Sequence, residues 1–492
     1  MQLVYKVKDR PPVGKLLIAA LQQLLAILAA TIAVPAAINT QFPDANMSAS
    51  AALLGAGVGT IVYLLFTKFR SPVFLGSSFA FLGSMAAAFA GSVSASVGYL
   101  GLIIGAAFAG LVYVVIAVVV KFVGVKWVNK LMPAVVIGPT VAIIGLSLAG
   151  NAVGDLMKGN VLNEAAEMVG SPYIALVCGL VTLAVTMACS VYGKKNLRLF
   201  PFVIGILAGY ALAAIFTGIG NAANVDALKI IDFSKFKDMQ WLPKFSFIEA
   251  FKGGYDFGEV GSLGTYIGTI AVAYVPVAFV VFAEHIADHK NLSSIIGSEL
   301  LEDPGLSRTL LGDGVGSVAG AFFGGCPNTT YGESVGCVAI TGNASVFTIL
   351  VTACLAIVIS FFAPFVTFLS TIPSCVMGGV CIALYGFIAV SGLKMIQKVD
   401  LYENRNLFVV SVILIAGVGG LTLTFGKVTL TSVACALILG ILTNVLCSIG
   451  RKKEKTPSAP AAGTAEAENA EMDANAGQAD DKADFSAEKP AE

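Results

Sequence analysis

The stretch CPNTTYGESVGCVAITG (residues 326–342) decides the fold prediction, because it places polar groups inside an otherwise apolar sequence. It is rich in glycine, is interrupted by a proline and carries the carboxylate of Glu333 between long apolar runs. An earlier stretch, LGSSFAFLGS (residues 75–84), resembles it. Residues 76–80 and 328–332 share a small or polar residue, two hydroxyl-bearing residues, an aromatic residue and a small residue, in that order.

The composition is that of a polytopic membrane protein. Of 492 residues, 57% are hydrophobic and 12% are charged, whereas soluble domains average about 25% charged residues. Apolar runs suited to a bilayer core recur along nearly the whole chain. The formal net charge is zero, so we expect no nucleic-acid partner. The basic start leads into a full-length span, which argues against a cleaved signal peptide. The nine cysteines are expected to be small buried residues.

We predict an all-α fold of about fourteen transmembrane segments. The segments lie at about residues 16–38, 51–67, 78–90, 97–122, 131–148, 173–191, 199–216, 263–289, 309–323, just after 330, 347–368, 373–390, 407–423 and 430–447. The third and tenth are too short to cross alone, and short strands are expected before both. The predicted regions are a cytoplasmic N-terminus (1–15), a first repeat (16–216), an extracytoplasmic loop (217–259), a second repeat (260–449) and a disordered cytoplasmic tail (450–492).

Positive charges in alternate loops set the predicted orientation. With fourteen crossings they all lie on one side, which is the cytoplasm. They are Lys68, Arg70, Lys126, Lys130, Lys194, Lys195, Arg198, Lys394, Lys398 and residues 451–453. We therefore expect a multi-pass protein of the inner (plasma) membrane with both termini in the cytoplasm.

The two short segments are the third of the first seven segments and the third of the second seven. Because seven is odd, the second half is predicted to be inverted relative to the first. Broken segments at corresponding places of two inverted halves indicate a transporter's binding site near the membrane midplane. The alternative is that two helices rich in glycine and serine merely pack closely.

Three carboxylates stand out within the apolar segments: Glu284, Asp288 and Glu333. An ionisable group at membrane depth normally faces a cavity or a partner. Glu284 and Asp288 are four residues apart and share a helical face. Alternatives remain: a helix-packing hydrogen bond for Glu284, a cytoplasmic helix-end charge for Asp288, and a solvated interfacial side chain for His289.

Carboxylates beside a helix break accept hydrogen bonds and repel anions. Backbone groups freed at the break add planar donors and acceptors. A neutral, flat molecule with N–H groups between carbonyls, such as uracil, fits this set, and Phe79 and Tyr331 could cover its faces. Burial disfavours the charged form of a carboxyl group, which makes the proton the expected coupling ion. No other cofactor is expected.

Three stretches carry a family resemblance: VFAEHI, DPGLSRTLLGDGVGSVAGAFFGGCPNTTYGESVG and LYGFIAVSGLKMI. They strongly resemble the nucleobase/ascorbate transporter (nucleobase:cation symporter-2) family, and within it the bacterial uracil permeases. The likeness covers about residues 10–449. The family signature has Gln or Glu at the place of Glu333, followed by Asn. Here Ser334 stands at the Asn position, and Gly342 stands where Arg or Lys is frequent.

The resemblance implies that Glu284 and Glu333 hydrogen-bond the base, assisted by backbone groups of Phe79 and Gly332. The residues expected to pack against it are Ala30, Phe79, Tyr331 and Tyr385. Uracil permeases typically carry Glu at position 333, whereas xanthine and urate members usually carry Gln, so a pyrimidine is favoured. Uracil members place a histidine of the proton path where this chain has Asp288, so Asp288 and Glu284 are the expected proton-coupling residues.

The resemblance also implies a core domain of segments one to four and eight to eleven, a gate domain of five to seven and twelve to fourteen, and a homodimer formed through the gate. The leading hypothesis is a proton-coupled uracil importer that works by alternating access. A purine permease of the same family is the alternative. An anion exchanger sharing the fold is a remote one, since it would present a cationic group. An enzyme is not expected, because His285 and His289 are the only histidines and lie near one helix end.

Overall fold

The computed structural model describes residues 3–124, 133–163, 168–194, 201–237, 239, 241–397, 399–425 and 428–449. Several predicted features lie outside these residues. They are the disordered tail and the cytoplasmic charges at Lys126, Lys130, Lys195, Arg198, Lys398 and 451–453.

The described chain is mostly helical. Its first half contains strand β1 (Leu75–Ser77) and helices α1 (Val13–Gln41), α2 (Ala49–Phe66), α3 (Leu82–Phe89), α4 (Ala95–Val123), α5 (Ala134–Ser147), α6 (Ala149–Asp155), α7 (Pro172–Tyr192) and α8 (Pro201–Ala223). One 3₁₀ turn, Phe79–Phe81, leads directly into α3.

The second half has the same character. It contains helices α9 (Ser246–Phe251), α10 (Leu263–Ile296), α11 (Leu306–Gly324), α12 (Gly332–Thr341), α13 (Val346–Ser360), α14 (Ala363–Thr371), α15 (Ser374–Ile396), α16 (Asn404–Val418) and α17 (Ser432–Leu446). Strand β2 (Asn328–Thr330) precedes α12, and a hairpin of β3 (Leu423–Phe425) and β4 (Val428–Leu430) precedes α17.

Eight candidate spans among the described residues are long and apolar enough to cross a membrane, counting α5 and α6 together as one (Ala134–Asp155). The pair α13 and α14 adds a ninth candidate, which is bent by 82° where the sequence predicted one segment from 347 to 368. Shorter apolar helices include Phe79–Phe89, α16 and α17. These spans confirm a helical, multi-pass membrane protein.

The predicted eighth segment was too short. It was placed at 263–289, but α10 continues for two more turns to Ile296 and ends at Gly297, whose φ is 67°. The extra turns carry polar residues that hydropathy reads as a helix end. Of the residues in these turns Leu292 and Ser293 are buried, whereas Lys290, Asn291 and Ser294 are exposed.

Strands β1 and β2 pair antiparallel at the start of α3 and α12. Leu75 faces Thr330, Gly76 faces Thr329 and Ser77 faces Asn328. The two strands expected before the broken segments are therefore present, and they join each other. A hydrogen bond from the Ser78 N–H to the Pro327 carbonyl (2.9 Å) extends the pairing.

Glycine lets α2 and α11 approach closely enough to hold β2. A Cβ on Gly55 would lie 2.5 Å from the carbonyl oxygen of Gly320. Asn328 fills the gap beside these glycines and donates from Nδ2 to the Gly55 carbonyl (3.0 Å). Small residues at a membrane helix interface allow this contact, and the contact fixes the strand pair inside the bundle.

Candidate functional site

Helix α12 begins at the strand pair and carries Glu333 in its first turn. Tyr331 precedes the helix in an extended conformation, with φ −101° and ψ 121°. The residues of β2 have an extended backbone, so the tenth segment begins as a strand and becomes helical only at Gly332. A helix N-terminus leaves backbone N–H groups unpaired and favours a negative charge nearby. Glu333 lies in this first turn, where the helix N-terminus stabilises a negative charge.

Helix α10 places Glu284 and Asp288 beside this N-terminus. The Thr330 hydroxyl donates to Asp288 Oδ2 (2.7 Å), which joins α10 to the last residue of β2. Glu284 interacts electrostatically with both Asp288 and Glu333. The structure thus brings together the three carboxylates selected from the sequence. Asp288 lies eight residues before the helix end, so the alternative of a helix-end charge is wrong.

The aromatic residues expected around the base are all buried. The rings of Phe79 and Tyr385 meet edge to face, with centroids 5.5 Å apart and an interplanar angle of 79°. Tyr331 instead donates its hydroxyl to the Ser77 carbonyl (2.9 Å). A Cβ on Gly76 would overlap the Tyr331 ring, so glycine makes room for it. Tyr331 therefore ties the two broken segments together, and Ala30 is fully buried in α1.

Ser334, which departs from the family signature, has two defined partners. Its Oγ accepts hydrogen bonds from Gln23 Nε2 (2.5 Å) and from the Phe74 N–H (3.0 Å). Both bonds are buried. A small hydroxyl in this place links α12 to α1 and to the residue before β1. The second departure, Gly342, ends α12 in the left-handed conformation at φ 67°, where a residue without a Cβ is favoured.

Sequence reasoning missed a buried pair behind this site. His285 Nδ1 and Asp313 Oδ2 are hydrogen-bonded (2.7 Å), and both side chains are 0% exposed. His285 Nε2 also lies 3.0 Å from the Thr309 hydroxyl. Asp313 sits in the apolar, glycine-rich run LLGDGVGSVAG. The rule that selected Glu284, a carboxylate at membrane depth, would have selected Asp313 as well.

His289 corrects another expectation, that of a solvated interfacial side chain. Its Nδ1 donates to the His285 carbonyl (2.7 Å), and its Nε2 lies 2.7 Å from the Tyr63 hydroxyl. The rings of His285 and His289 stack with centroids 4.0 Å apart. A buried imidazole requires such partners, so the two histidines are part of the packed interior. Among the described residues, no group of three or more His, Cys, Asp or Glu is arranged to hold a metal ion.

A cavity of about 980 Å³ lies between α1, α15 and the loops that contain Asn46, Lys158 and Lys244. Ala33 of α1 and Cys381 of α15 are among its lining residues. Ala33 follows Ala30 by three residues, and Cys381 precedes Tyr385 by four. Both lie about one helical turn from a predicted contact residue. None of the predicted contact residues lines the cavity itself.

Two half-helices that meet with carboxylates inside a bundle of membrane helices form the kind of site found in membrane transporters. The model of the Permease family matches residues 14–425, and the chain belongs to this family. The resemblance found in the sequence is thereby confirmed, as is the expectation of a transporter rather than an enzyme.

Curated relatives match along most of their length. The uracil permease of Bacillus caldolyticus is 38% identical, over 90% of this chain and 94% of the relative. The uracil permease of Bacillus subtilis (strain 168) is also 38% identical, over 92% and 97%. The uracil permease of Escherichia coli (strain K12) is 33% identical, over 88% and 92%.

Solved structures share the fold at low identity. The transmembrane domain of the cyanobacterium bicarbonate transporter BicA has a TM-score of 0.57 and 14% identity, covering 90% of this chain and all of that one. The murine anion transporter Slc26a9 has a TM-score of 0.58 and 14% identity, covering 91% and 70%. This likeness shows the fold alone.

Proposed function

We propose that this protein is a proton-coupled uracil importer. One observation carries the proposal: Glu284, Asp288 and Glu333 converge where the broken helices meet, in a chain 33–38% identical to named uracil permeases. Carboxyl groups at this place suit a substrate with N–H donors, and the N-terminus of α12 supplies donors for its carbonyl oxygens.

The proposed roles of the site residues are those that the family resemblance implies. Glu284 and Glu333 accept hydrogen bonds from the base, and backbone groups of Phe79 and Gly332 complete its polar contacts. Ala30, Tyr331 and the Phe79–Tyr385 ring pair enclose it. A buried carboxyl group binds a proton more readily than a solvated one, so Asp288 and Glu284 couple uracil entry to proton entry.

We further propose fourteen segments in two inverted repeats of seven. Fourteen result when α5–α6 and α13–α14 are each one segment, when α3 and α12 are broken segments, and when the short α9 is a loop helix. Segments one to four and eight to eleven form a core, and the others form a gate that also makes a homodimer. Alternating access moves core and gate relative to each other, in the inner membrane with both termini cytoplasmic.

Substrate preference separates this proposal from its alternatives. The glutamate at position 333 and the named relatives favour a pyrimidine over a purine. Bicarbonate or another anion is disfavoured, although the fold is shared. On the broken helices α3 and α12, Glu333 is the only charged residue, and it would repel an anion.

Uptake of radiolabelled uracil by cells producing the protein tests the substrate. We expect excess unlabelled uracil to compete, and xanthine and urate to compete weakly. Absence of competition by uracil contradicts the proposed substrate, and stronger competition by xanthine or urate favours the purine alternative.

Glu284→Gln tests the site, because a carboxamide keeps the shape but places an N–H donor where an acceptor is needed. We expect uptake to be abolished while the protein remains in the membrane, as measured by immunoblotting. Glu302→Gln is the matched control, since Glu302 is exposed and lies outside the site. Near-normal uptake by Glu284→Gln would refute the assigned role.

A further inference from the structure

The segment before α1 is paired with the turn that follows α12. Tyr5 forms a parallel bridge with Asn343. Four backbone hydrogen bonds join the two segments: Val4 N–H to Gly342 O (2.8 Å), Tyr5 N–H to Gly342 O (3.2 Å), Ala344 N–H to Tyr5 O (2.9 Å) and Val346 N–H to Val7 O (3.0 Å). Residues 3–10, which we call the N-terminal strap, thus add a short strand to this turn.

Side chains along the strap alternate as in a half-buried strand. Leu3 and Val7 pack against the hydrophobic core, whereas Val4 is 66% exposed and Lys6 and Lys8 are exposed. The alternation gives the strap a defined inner face.

Two further contacts hold the C-terminal end of the strap. The Ser345 hydroxyl donates to the Asp9 carbonyl (2.6 Å). The Arg10 guanidinium lies 4.5 Å from the centre of the Phe347 ring, at cation–π distance. Phe347 belongs to the first turn of α13. The strap therefore contacts the chain from the end of α12 into the next helix.

Helix α12 needs support at both ends. With ten residues, it is shorter than isolated helices that are stable on their own. The pairing of β1 with β2 holds its N-terminal end, and the strap holds the residues at its C-terminal end. Through Pro11 and Pro12 the strap continues directly into α1, whose Gln23 donates to Ser334 on α12.

We propose that the N-terminal strap positions the substrate-binding helix: it fixes the end of α12 against α1 and so sets the place of Glu333. This role rests on the proposed function of Glu333 and extends it to residues 3–10. The residues that do the positioning are Leu3, Val7 and the backbone of residues 4–7. They act through α12 and do not touch the substrate.

One substitution at two positions tests the strap. Val7→Asp places a carboxylate on the inner face, and Val4→Asp places the same carboxylate on the exposed face three residues away. Both keep every backbone N–H. We expect Val7→Asp to raise the KM for uracil roughly threefold to tenfold, the change produced when a binding geometry is modestly disfavoured. Val4→Asp should leave the KM unchanged.

Val7→Ile and a deletion of residues 3–8 complete the series. Val7→Ile keeps the apolar contact and should retain the parent KM, whereas the deletion should raise it at least as much as Val7→Asp. A loss of abundance lowers Vmax without changing KM, and normalising uptake to folded protein in the membrane corrects for it. Equal KM values for Val4→Asp, Val7→Asp and the deletion would overturn the proposal.

Hydrogen exchange of the full-length protein keeps this test separate from the identity of the substrate. We expect amide groups of residues 333–346 to exchange faster in Val7→Asp than in the parent and in Val4→Asp. If the parent does not take up uracil, the proposed function is refuted. The exchange comparison still tests whether the strap positions α12. Unchanged exchange in both Val7→Asp and the deletion would refute the positioning role.

Discussion

Ser334→Ala isolates the link between α12, α1 and the residue before β1. The substitution removes one oxygen and leaves the helix otherwise unchanged. Ser334 Oγ is the acceptor for Gln23 Nε2 and for the Phe74 N–H. Because Gln23 is 3% exposed and Phe74 is 0% exposed, water cannot readily replace the lost acceptor.

The expected cost follows from these two bonds. An interhelical hydrogen bond in a membrane protein contributes about 0.6 kcal/mol on average and up to about 1.7 kcal/mol. A buried donor left without an acceptor costs about 1 to 3 kcal/mol. Two donors lose their acceptor here, so we expect a destabilisation of about 2 to 3 kcal/mol. If about 2 kcal/mol of this falls on the arrangement that binds uracil, the Kd rises about thirtyfold.

Thermal unfolding of the purified protein and calorimetric uracil binding measure the two effects. Ser84→Ala is the matched control: the Ser84 hydroxyl donates to the Ala273 carbonyl (2.7 Å), so its removal leaves no buried donor unpaired. Ser334→Asn should restore most of the loss, since its side-chain oxygen can accept both bonds. A Ser334→Ala protein no less stable than Ser84→Ala, with unchanged uracil affinity, would refute the reasoning.

Two other predictions concern residues at the same junction. If Asp288 relays the proton, Asp288→Asn should lose uracil accumulation driven by a pH gradient yet retain exchange of internal for external uracil; unchanged accumulation in membrane vesicles would exclude Asp288 from the proton path. Gly76→Ala should force the Tyr331 ring off its place and cost about 1 to 3 kcal/mol by overpacking, seen as a lower melting temperature and a raised KM. Gly264→Ala, where a Cβ meets nothing within 4 Å, is its control, and equal effects of the two would contradict the role of Gly76.

The sequence predicted the parts of the fold that depend on local pattern. Apolar runs located the spans, and the polar stretch at 326–342 located a broken segment with a strand before it. The shared pattern of residues 76–80 and 328–332 indicated that two such breaks correspond. These signals are readable because the membrane imposes a length and a polarity on each segment.

Other features depend on contacts between distant residues, and the sequence did not predict them. The Tyr331 hydroxyl reaches the Ser77 carbonyl, although the aromatic side chain alone suggested a face for the substrate. His289 appeared to begin a solvated helix end because Lys290 follows it. Its environment is set instead by Tyr63 on α2, more than 200 residues away. Burial of a polar residue is visible only once its partner is placed.

The pairing register of β1 and β2 can be compared with the sequence match between residues 76–80 and 328–332. By the sequence match, Gly76 corresponds to Asn328 and Ser77 to Thr329. In the structure Gly76 faces Thr329, and Ser77 faces Asn328. If each residue is replaced by its counterpart in the other half, the pair Gly76–Thr329 becomes the pair Asn328–Ser77. A two-fold axis between the strands produces this pattern. An axis in the membrane plane is expected for inverted repeats.

In the proposed inverted repeat, this strand pair lies on the axis that relates the two halves, and the places where the local symmetry fails are therefore informative. At the matching aromatic residues the halves diverge, since Phe79 pairs with the Tyr385 ring whereas Tyr331 bonds back to Ser77. Of the two short helices that follow the strands, α12 carries a carboxylate, that of Glu333, and α3 carries none. In the proposed function, a symmetrical frame with a carboxylate on one side only holds an asymmetric molecule in a single orientation, because N–H groups of that molecule pair with the Glu333 carboxylate while its carbonyl oxygens pair with free backbone N–H groups at the start of α12.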